Sequence, residues 1–253
     1  MAASANSRAP TGSSAVGGCG GGGGSFCGYD AFGNPLYCQA NPTLLPMPTP
    51  VASTSSFAIT QGLINMATQS YAFNVSSADS YGNLYTLTYS SSPGQISTFG
   101  TTPASTANIS QILYVNSGLI QSVSSTNYFI PSPYQFLGSQ TVRPGGSEVA
   151  NTWAVPPIMG IVGQSFPSFT GTLYHDSTNT VIDATLTETI GLSPDTATTA
   201  LLCLTDTVQL TQAGINDNLS VAPSSNCFRI DPNGNVLGMQ ITTQVNGLTM
   251  LFY

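Results

Sequence analysis

His175 is the single histidine of the chain, and it stands in Tyr174-His175-Asp176-Ser177, where the base, acid and hydroxyl of a hydrolytic triad all occur. Triad chemistry needs a nucleophile activated by a base that an acid in turn orients. Three adjacent residues cannot face one another in that way, and no G-x-S-x-G elbow supplies another nucleophile. The segment reads as a strand end turning at His-Asp-Ser. One histidine also removes His-rich zinc and copper sites, and the cysteine spacings contain no C-x-x-C.

The carboxylates offer two further chemistries. A glycosidase needs a pair flanking the scissile bond, and Glu148 and Glu188 are the residues that could serve. Glu188 shares parity with Ile182, Ala184 and Leu186, so a regular strand would turn it toward the core. There it needs a partner, with Arg229 the cation available, unless a β-bulge or an early strand end resets the register. Asp231-Pro-Asn233-Gly-Asn235 begins like a calcium loop, making Asp231, Asn233 and Asn235 the calcium candidates. Its glycine is at position four rather than six, however, and position twelve is Thr242 rather than glutamate. A site assembled from Asp195, Asp206 and Asp217 would leave no linear signature. Gly20 to Gly24 lacks the lysine of a phosphate-binding loop. No cofactor and no catalytic residue is expected.

Charged residues make up only 5% of the 253 positions, and the three Lys+Arg are all arginine, against roughly 25% charged in an ordinary domain. The net charge of −7 lies wholly beyond Gly146, where Arg229 faces eight carboxylates. Nucleic acid is excluded, because phosphate binding needs clustered Lys and Arg. Ser, Thr, Asn, Gln and Gly must cover the surface, a composition typical of exported proteins. Hydrophobic residues at 41% are enough for a real core, and no run approaches the 18 apolar residues of a spanning helix.

Five cysteines point to an oxidising compartment. Cys27 and Cys38 bracket GYDAFGNPLY, while Cys203 and Cys227 lie in the strand-like runs LLCLTDTVQL and CFRI. Disulfides 27–38 and 203–227 leave Cys19 over, and an odd cysteine in an exported chain asks for a separate role.

The elements that must position these residues are mostly strands. Residues 1–55 read as a leader and flexible tether, with prolines at 42, 46, 48 and 50 stiffening its end. Phe57 to Phe73 carries Ile59, Leu63 and Met66 at helical spacing, the one convincing helix. Beyond it the period becomes two, as in Tyr85-Leu87-Tyr89, Ile182-Ala184-Leu186 alternating with Asp183-Thr185-Thr187, and Met239-Ile241. Val245-Asn246-Gly247-Leu248 is a hairpin turn. Asp-x-x-Gly-Asn occurs at 30–34, 79–83 and 231–235, each a turn feeding a strand. Prolines at 131, 133, 144, 156, 157 and 167 surround Trp153, the only tryptophan, and suggest a junction. The expected fold is mainly β: one or two antiparallel sandwich-like modules, 56–140 and 141–253, with one short helix. Met250-Leu-Phe-Tyr253 is similar to the aromatic end of outer-membrane barrels, against which the prolines and disulfides speak. Tyr85, Tyr89, Tyr128, Tyr134 and Trp153 could stack on sugars or simply pack the core.

Val16-Gly17-Gly18-Cys19 followed by polyglycine resembles the lipobox of Gram-negative lipoproteins. The preceding MAASANSRAPTGSSA is polar with one arginine, unlike a lipoprotein signal, and a Gly/Ser linker is the alternative reading. With Asp79 to Leu87 (D-x-x-G-N-x-Y-x-L) and the late Cys203…Cys227 pair, the chain is similar to uncharacterised envelope lipoproteins of Gram-negative bacteria. The resemblance implies an acyl anchor on Cys19, membrane attachment through it and an extracytoplasmic location. The absence of a catalytic constellation points to a non-enzymatic binding or structural role with a glycan as the ligand to test, and the low charge, the Ser/Thr-rich β composition and the terminal apolar strand to self-assembly by β-strand addition as the alternative.

Overall fold

The computed structural model describes residues 26–29, 35–37, 49–143, 146–217, 219, 224–245 and 248–253. Cys19, Cys38, the Asp-x-x-Gly-Asn copy at 30–34 and the Asn246-Gly247 turn lie outside these residues, as do most of the expected tether and the side chain of Cys27.

Strands β1 (Phe26–Tyr29) and β2 (Pro35–Tyr37) pair antiparallel with each other. Then β3 (Ser56–Ala58) leads into helix α1 (Ile59–Thr68), followed by β4 (Tyr71–Ala78), β5 (Leu84–Pro93), β6 (Ser97–Phe99), β7 (Thr102–Val115) and β8 (Gly118–Pro131). The chain continues through β9 (Tyr134–Arg143), β10 (Ser147–Trp153), β11 (Met159–Ile161), β12 (Ser165–Tyr174), β13 (Ile182–Pro194) and β14 (Ala200–Leu210). Helix α2 (Gln212–Asn216), β15 (Ser224–Ile230), β16 (Val236–Val245) and β17 (Leu248–Phe252) complete it.

The fold is mainly β and antiparallel. One 13-stranded sheet holds twelve strands in sequence order from β4 to β17, with β6 hanging on β7 as the thirteenth; β11 is skipped and pairs with β3 in a separate sheet. Each strand is hydrogen-bonded to the next, the arrangement that short connections permit. The sheet then rolls shut. The Ser76 amide of β4 donates to the Tyr253 carbonyl and the Tyr253 amide donates back to Ser76, both at 3.2 Å. The result is an up-and-down barrel whose two edges satisfy one another.

Alternation decides which face is inside. On β5, Tyr85, Leu87 and Tyr89 are buried while Thr86, Thr88 and Ser90 face outward, and on β13 Leu186 and Ile190 point in against Thr185 and Thr187. Threonines line up across the outer face: Thr152, Thr170, Thr187 and Thr207 are successive partners on β10, β12, β13 and β14. The inside is mostly apolar and the outside hydroxyl-rich, the reverse of a membrane barrel. The C-terminal aromatic end therefore does close a barrel, but one with a polar exterior.

About eight strands already enclose a lumen that side chains just fill, so a ring of this size needs a plug. Helix α1 supplies it. Ile59, Leu63 and Met66 enter the core beside Leu192, Leu202, Leu204, Phe228 and Ile230, while Gln61 and Thr68 stay exposed at one mouth. The helix is shorter than the expected Phe57–Phe73 span. Phe57 belongs to β3, and Tyr71, Phe73 and Val75 alternate inward on β4 because their neighbours pair with β5. Trp153 and the prolines do not mark a linker. Residue 140 lies within β9, where Gln140 faces Ser147 of β10, and one core cluster draws on residues from both sides of it. Pro156 and Pro157 present their carbonyls to Thr60 Oγ1 at 3.3 and 3.0 Å, clamping the start of α1.

The plug is locked by the β15–β16 turn. Pro232 accepts from the Ala58 amide at 3.0 Å and the Gly234 carbonyl accepts from Asn65 Nδ2 at 2.8 Å. A Cβ at Gly234 would stand 2.7 Å from the Gly62 nitrogen and 2.8 Å from the Ala58 oxygen, on a backbone with φ +81°. Gly163 has φ +92° but open space around it. Gly163→Ala should therefore cost only left-handed strain, about 1–2 kcal/mol. Gly234→Ala adds a backbone clash and should cost about 3 kcal/mol or more. Denaturant unfolding of the two variants checks this, and equal losses would contradict the plug contact.

Candidate functional site

The barrel interior is not uniformly apolar. Glu148 on β10, Glu188 on β13 and Asp206 on β14 are all buried. Glu188 and Asp206 are direct cross-strand partners, which places their Cβ atoms about 5 Å apart. Glu188 points inward as its parity requires. The strand neither ends before it nor bulges at it; the bulge lies opposite, in β12 between Pro167 and Phe169. That extra residue, Ser168, is turned inward and donates to Glu188 Oε1 at 2.7 Å. Arg229, the cation the sequence offers as a partner, is engaged elsewhere. Ser139 Oγ donates to Glu148 at 3.2 Å, and Ser224 Oγ reaches Asp206 at 3.5 Å.

Electrostatics follow from this burial. Desolvation and the facing Asp206 hold the Glu188 carboxyl well above the ordinary carboxylate range. Desolvation, with the Glu148 charge adding to it, pushes Asp206 up to about 6. Two carboxylates this close in a dry interior favour keeping a proton between them. Glu188 Oε2 has no hydrogen-bond partner among the described residues, which suits a protonated acid better than an ion. Glu148 and Glu188 could serve a glycosidase only if substrate reached them, and both are sealed from solvent at 3% and 1% exposure.

The other residues of interest are dispersed. Arg229 makes a bidentate pair with Asp195, Nε to Oδ2 at 2.7 Å and Nη2 to Oδ1 at 2.9 Å. Asp206 stays with Glu188 and Asp217 lies against His175, so Asp195, Asp206 and Asp217 do not form one site. Asp231 and Asp79 build the same turn. Asp231 Oδ1 accepts from the Asn233 and Asn235 amides at 2.9 Å each and Oδ2 from Asn235 Nδ2 at 2.8 Å. Asp79 does likewise with Tyr81 and Asn83 at 2.9, 2.9 and 2.8 Å. Slight burial works to raise both acids, but these donors hold them below the ordinary carboxylate value. A calcium ion at Asp231, Asn233 and Asn235 would have to displace the N–H donors.

Cys203 and Cys227 form the expected disulfide, between directly opposed positions of β14 and β15 on the outer face. Of the sugar-stacking candidates, Tyr85, Tyr89 and Tyr134 are buried in the core, and Trp153 packs edge-on to Tyr134 at 5.6 Å. Tyr128 lies against Phe99, ring centres 4.9 Å apart. A shallow hydroxyl- and amide-lined depression of about 260 Å³ opens on the outer face among Asn151, Thr170, Thr185, Thr187, Thr207 and Gln209.

His175 gathers acids that its own triplet did not announce. Its Nδ1 lies 3.0 Å from Asp217 Oδ2 and 3.5 Å from Asp183 Oδ2. The alternation along β13 predicts an outward Asp183. A register shift between Leu173 and Tyr174 leaves it unpaired on β13, and it turns inward beside Ala184. Comparison with protein-family models, curated proteins and solved structures gives no match.

The buried acids set the pH dependence. Asp206 is raised on folding from 3.8 to about 6, so between these values the folded chain holds more protons than the unfolded one. Stability is then full at low pH and falls as pH rises through about 6. Thermal unfolding should show a lower Tm at pH 7.5 than at pH 5. Asp206→Asn should flatten that decline by about one proton and recover up to about 3 kcal/mol at pH 7.5. A wild-type Tm that rises over this interval would refute the buried-proton account.

Proposed function

We propose that this chain is an exported, non-enzymatic β-barrel module of the cell envelope or exterior, acting through its rigid outer face as a binding or structural element. The Cys203–Cys227 disulfide carries the reading. It sits on the outer face, and such bonds persist in oxidising compartments rather than in the cytosol. The hydroxyl-covered exterior agrees with a surface that stays soluble with very few charges. The lipobox-like Val16 to Cys19 would tether the module to a membrane, with the proline-rich sequence after it serving as a spacer.

The threonine-lined depression is where a neutral, hydroxyl-rich ligand such as a glycan would rest, since its donors and acceptors are amides and hydroxyls rather than charges. Self-assembly by strand addition at β17 would first have to break the Ser76–Tyr253 pair, and is the second choice.

Peptide mass spectrometry of the protein alkylated without reductant, taken from its native source, tests the proposal. The expected result is a bridged Cys203–Cys227 peptide and a mature chain beginning at an acylated Cys19. Free thiols at both 203 and 227 in the native protein would overturn export; an intact bridge with unmodified Cys19 would replace tethering by secretion.

A further inference from the structure

At the barrel end opposite α1, three elements converge. The β12–β13 connection is fixed by the His175 amide bonding the Val181 carbonyl at 3.0 Å and by the Asp176 carboxylate accepting the Thr178 amide at 2.8 Å. Helix α2 is pinned to β13 because the Thr211 amide and hydroxyl both donate to the Asp183 carbonyl, at 2.8 and 3.0 Å. Gly214 lets it lie that close, since a Cβ there would stand 2.2 Å from the same carbonyl. The helix then ends at Asp217, whose amide bonds the Ala213 carbonyl at 2.9 Å. Two backbone anchors thus carry His175 and Asp217 over the side chain of Asp183.

From this convergence we propose a divalent-cation site of the zinc class, formed by His175 Nδ1 and the carboxylates of Asp183 and Asp217. The ligating atoms of the three residues lie within 4.8 Å of one another. The geometry fits a coordination shell. Ligands at 2.0–2.2 Å from a tetrahedral ion are separated by about 3.3–3.6 Å, and the two distances from Nδ1 are 3.0 and 3.5 Å. A small outward movement of the side chains admits the ion.

A second observation points to a ligand independently of the cluster. The Asp183 carboxylate is buried, its side chain only 7% exposed, and its Oδ1 has no hydrogen-bond partner among the described residues. A buried carboxylate oxygen without a donor is costly. The neighbouring side chains relieve this only in part: His175 and Asp217 both interact with the Asp183 carboxyl, but the single proton that His175 Nδ1 can offer serves at most one of the two oxygens facing it, and a proton shared between the two acids still leaves the pair one negative charge. A dication neutralises both carboxylates and leaves the imidazole neutral. The side chains of His175 and Asp217 are 53% and 38% exposed, so ions can enter and water can complete the shell. One nitrogen and two carboxylate oxygens suit zinc and neighbouring first-row ions better than calcium, which takes six to eight oxygens.

The test is titration of the full chain with zinc chloride, followed by calorimetry and by the imidazole proton resonances. Because the chain has one histidine, those resonances report on His175 without ambiguity. The expected result is one equivalent bound, with a shift of the His175 signals that saturates at the same stoichiometry. Losing an outer-shell group typically weakens a metal site about 10–100-fold. His175→Ala or Asp217→Asn, both at exposed positions, should weaken binding by about 100-fold or more. Asp183→Asn should do the same, with thermal unfolding confirming that the barrel is intact. No saturable binding, or binding that leaves the His175 resonances in place or survives Asp217→Asn unchanged, would overturn the site.

Discussion

One backbone pair, Ser76 with Tyr253, turns a long antiparallel meander into a ring, and much of the molecule follows from that closure. A closed sheet has no edge to protect, but it has a fixed internal volume that must be filled. Helix α1 and the inward aromatics Tyr85, Tyr89, Phe129, Tyr134 and Phe228 fill it. The helix is held by partners far away in the sequence, the carbonyls of Pro156, Pro157, Pro232 and Gly234. Its own sequence, with a glycine and little charge, gives it little intrinsic stability. Packing makes it a helix.

Local features were legible in the residues. Period-two alternation placed Tyr85, Leu87, Leu186 and Ile190 inside, and the two described Asp-x-x-Gly-Asn copies are turns with matching hydrogen bonds, because the asparagine and the aspartate complete one another within five residues. The Cys203–Cys227 pairing was legible from the strands around it. Closure was not, since nothing at Ser76 or Tyr253 marks a contact between residues so far apart. The proline cluster misled for a related reason: Pro156 and Pro157 end strand pairing locally but serve as clamps on a distant helix.

Bulges account for the rest. Ser168 becomes the partner of Glu188 and Asp183 turns inward because a strand somewhere nearby holds one residue more than its neighbour. An alternating pattern cannot announce such a residue, since each bulge shifts parity by one and leaves composition untouched. Asp217 reaches His175 from 42 positions away, on a helix placed by Thr211 and Gly214. Charges are scarce in this chain, yet those of Arg229, Asp195, Asp183, Asp206 and Glu188 are placed in pairs or clusters rather than spread over the surface.

The position of the plug along the chain has its own consequence. α1 precedes every strand of the ring, and β17, the strand that shuts it, follows every other. A chain emerging N-terminus first, whether from a ribosome or through a membrane pore, would present its stopper before the vessel exists. Through that whole passage the outer edge of β4 waits unpaired, open to any passing strand. For such a topology the hazardous interval is the delay between synthesis of the first strand and arrival of the last.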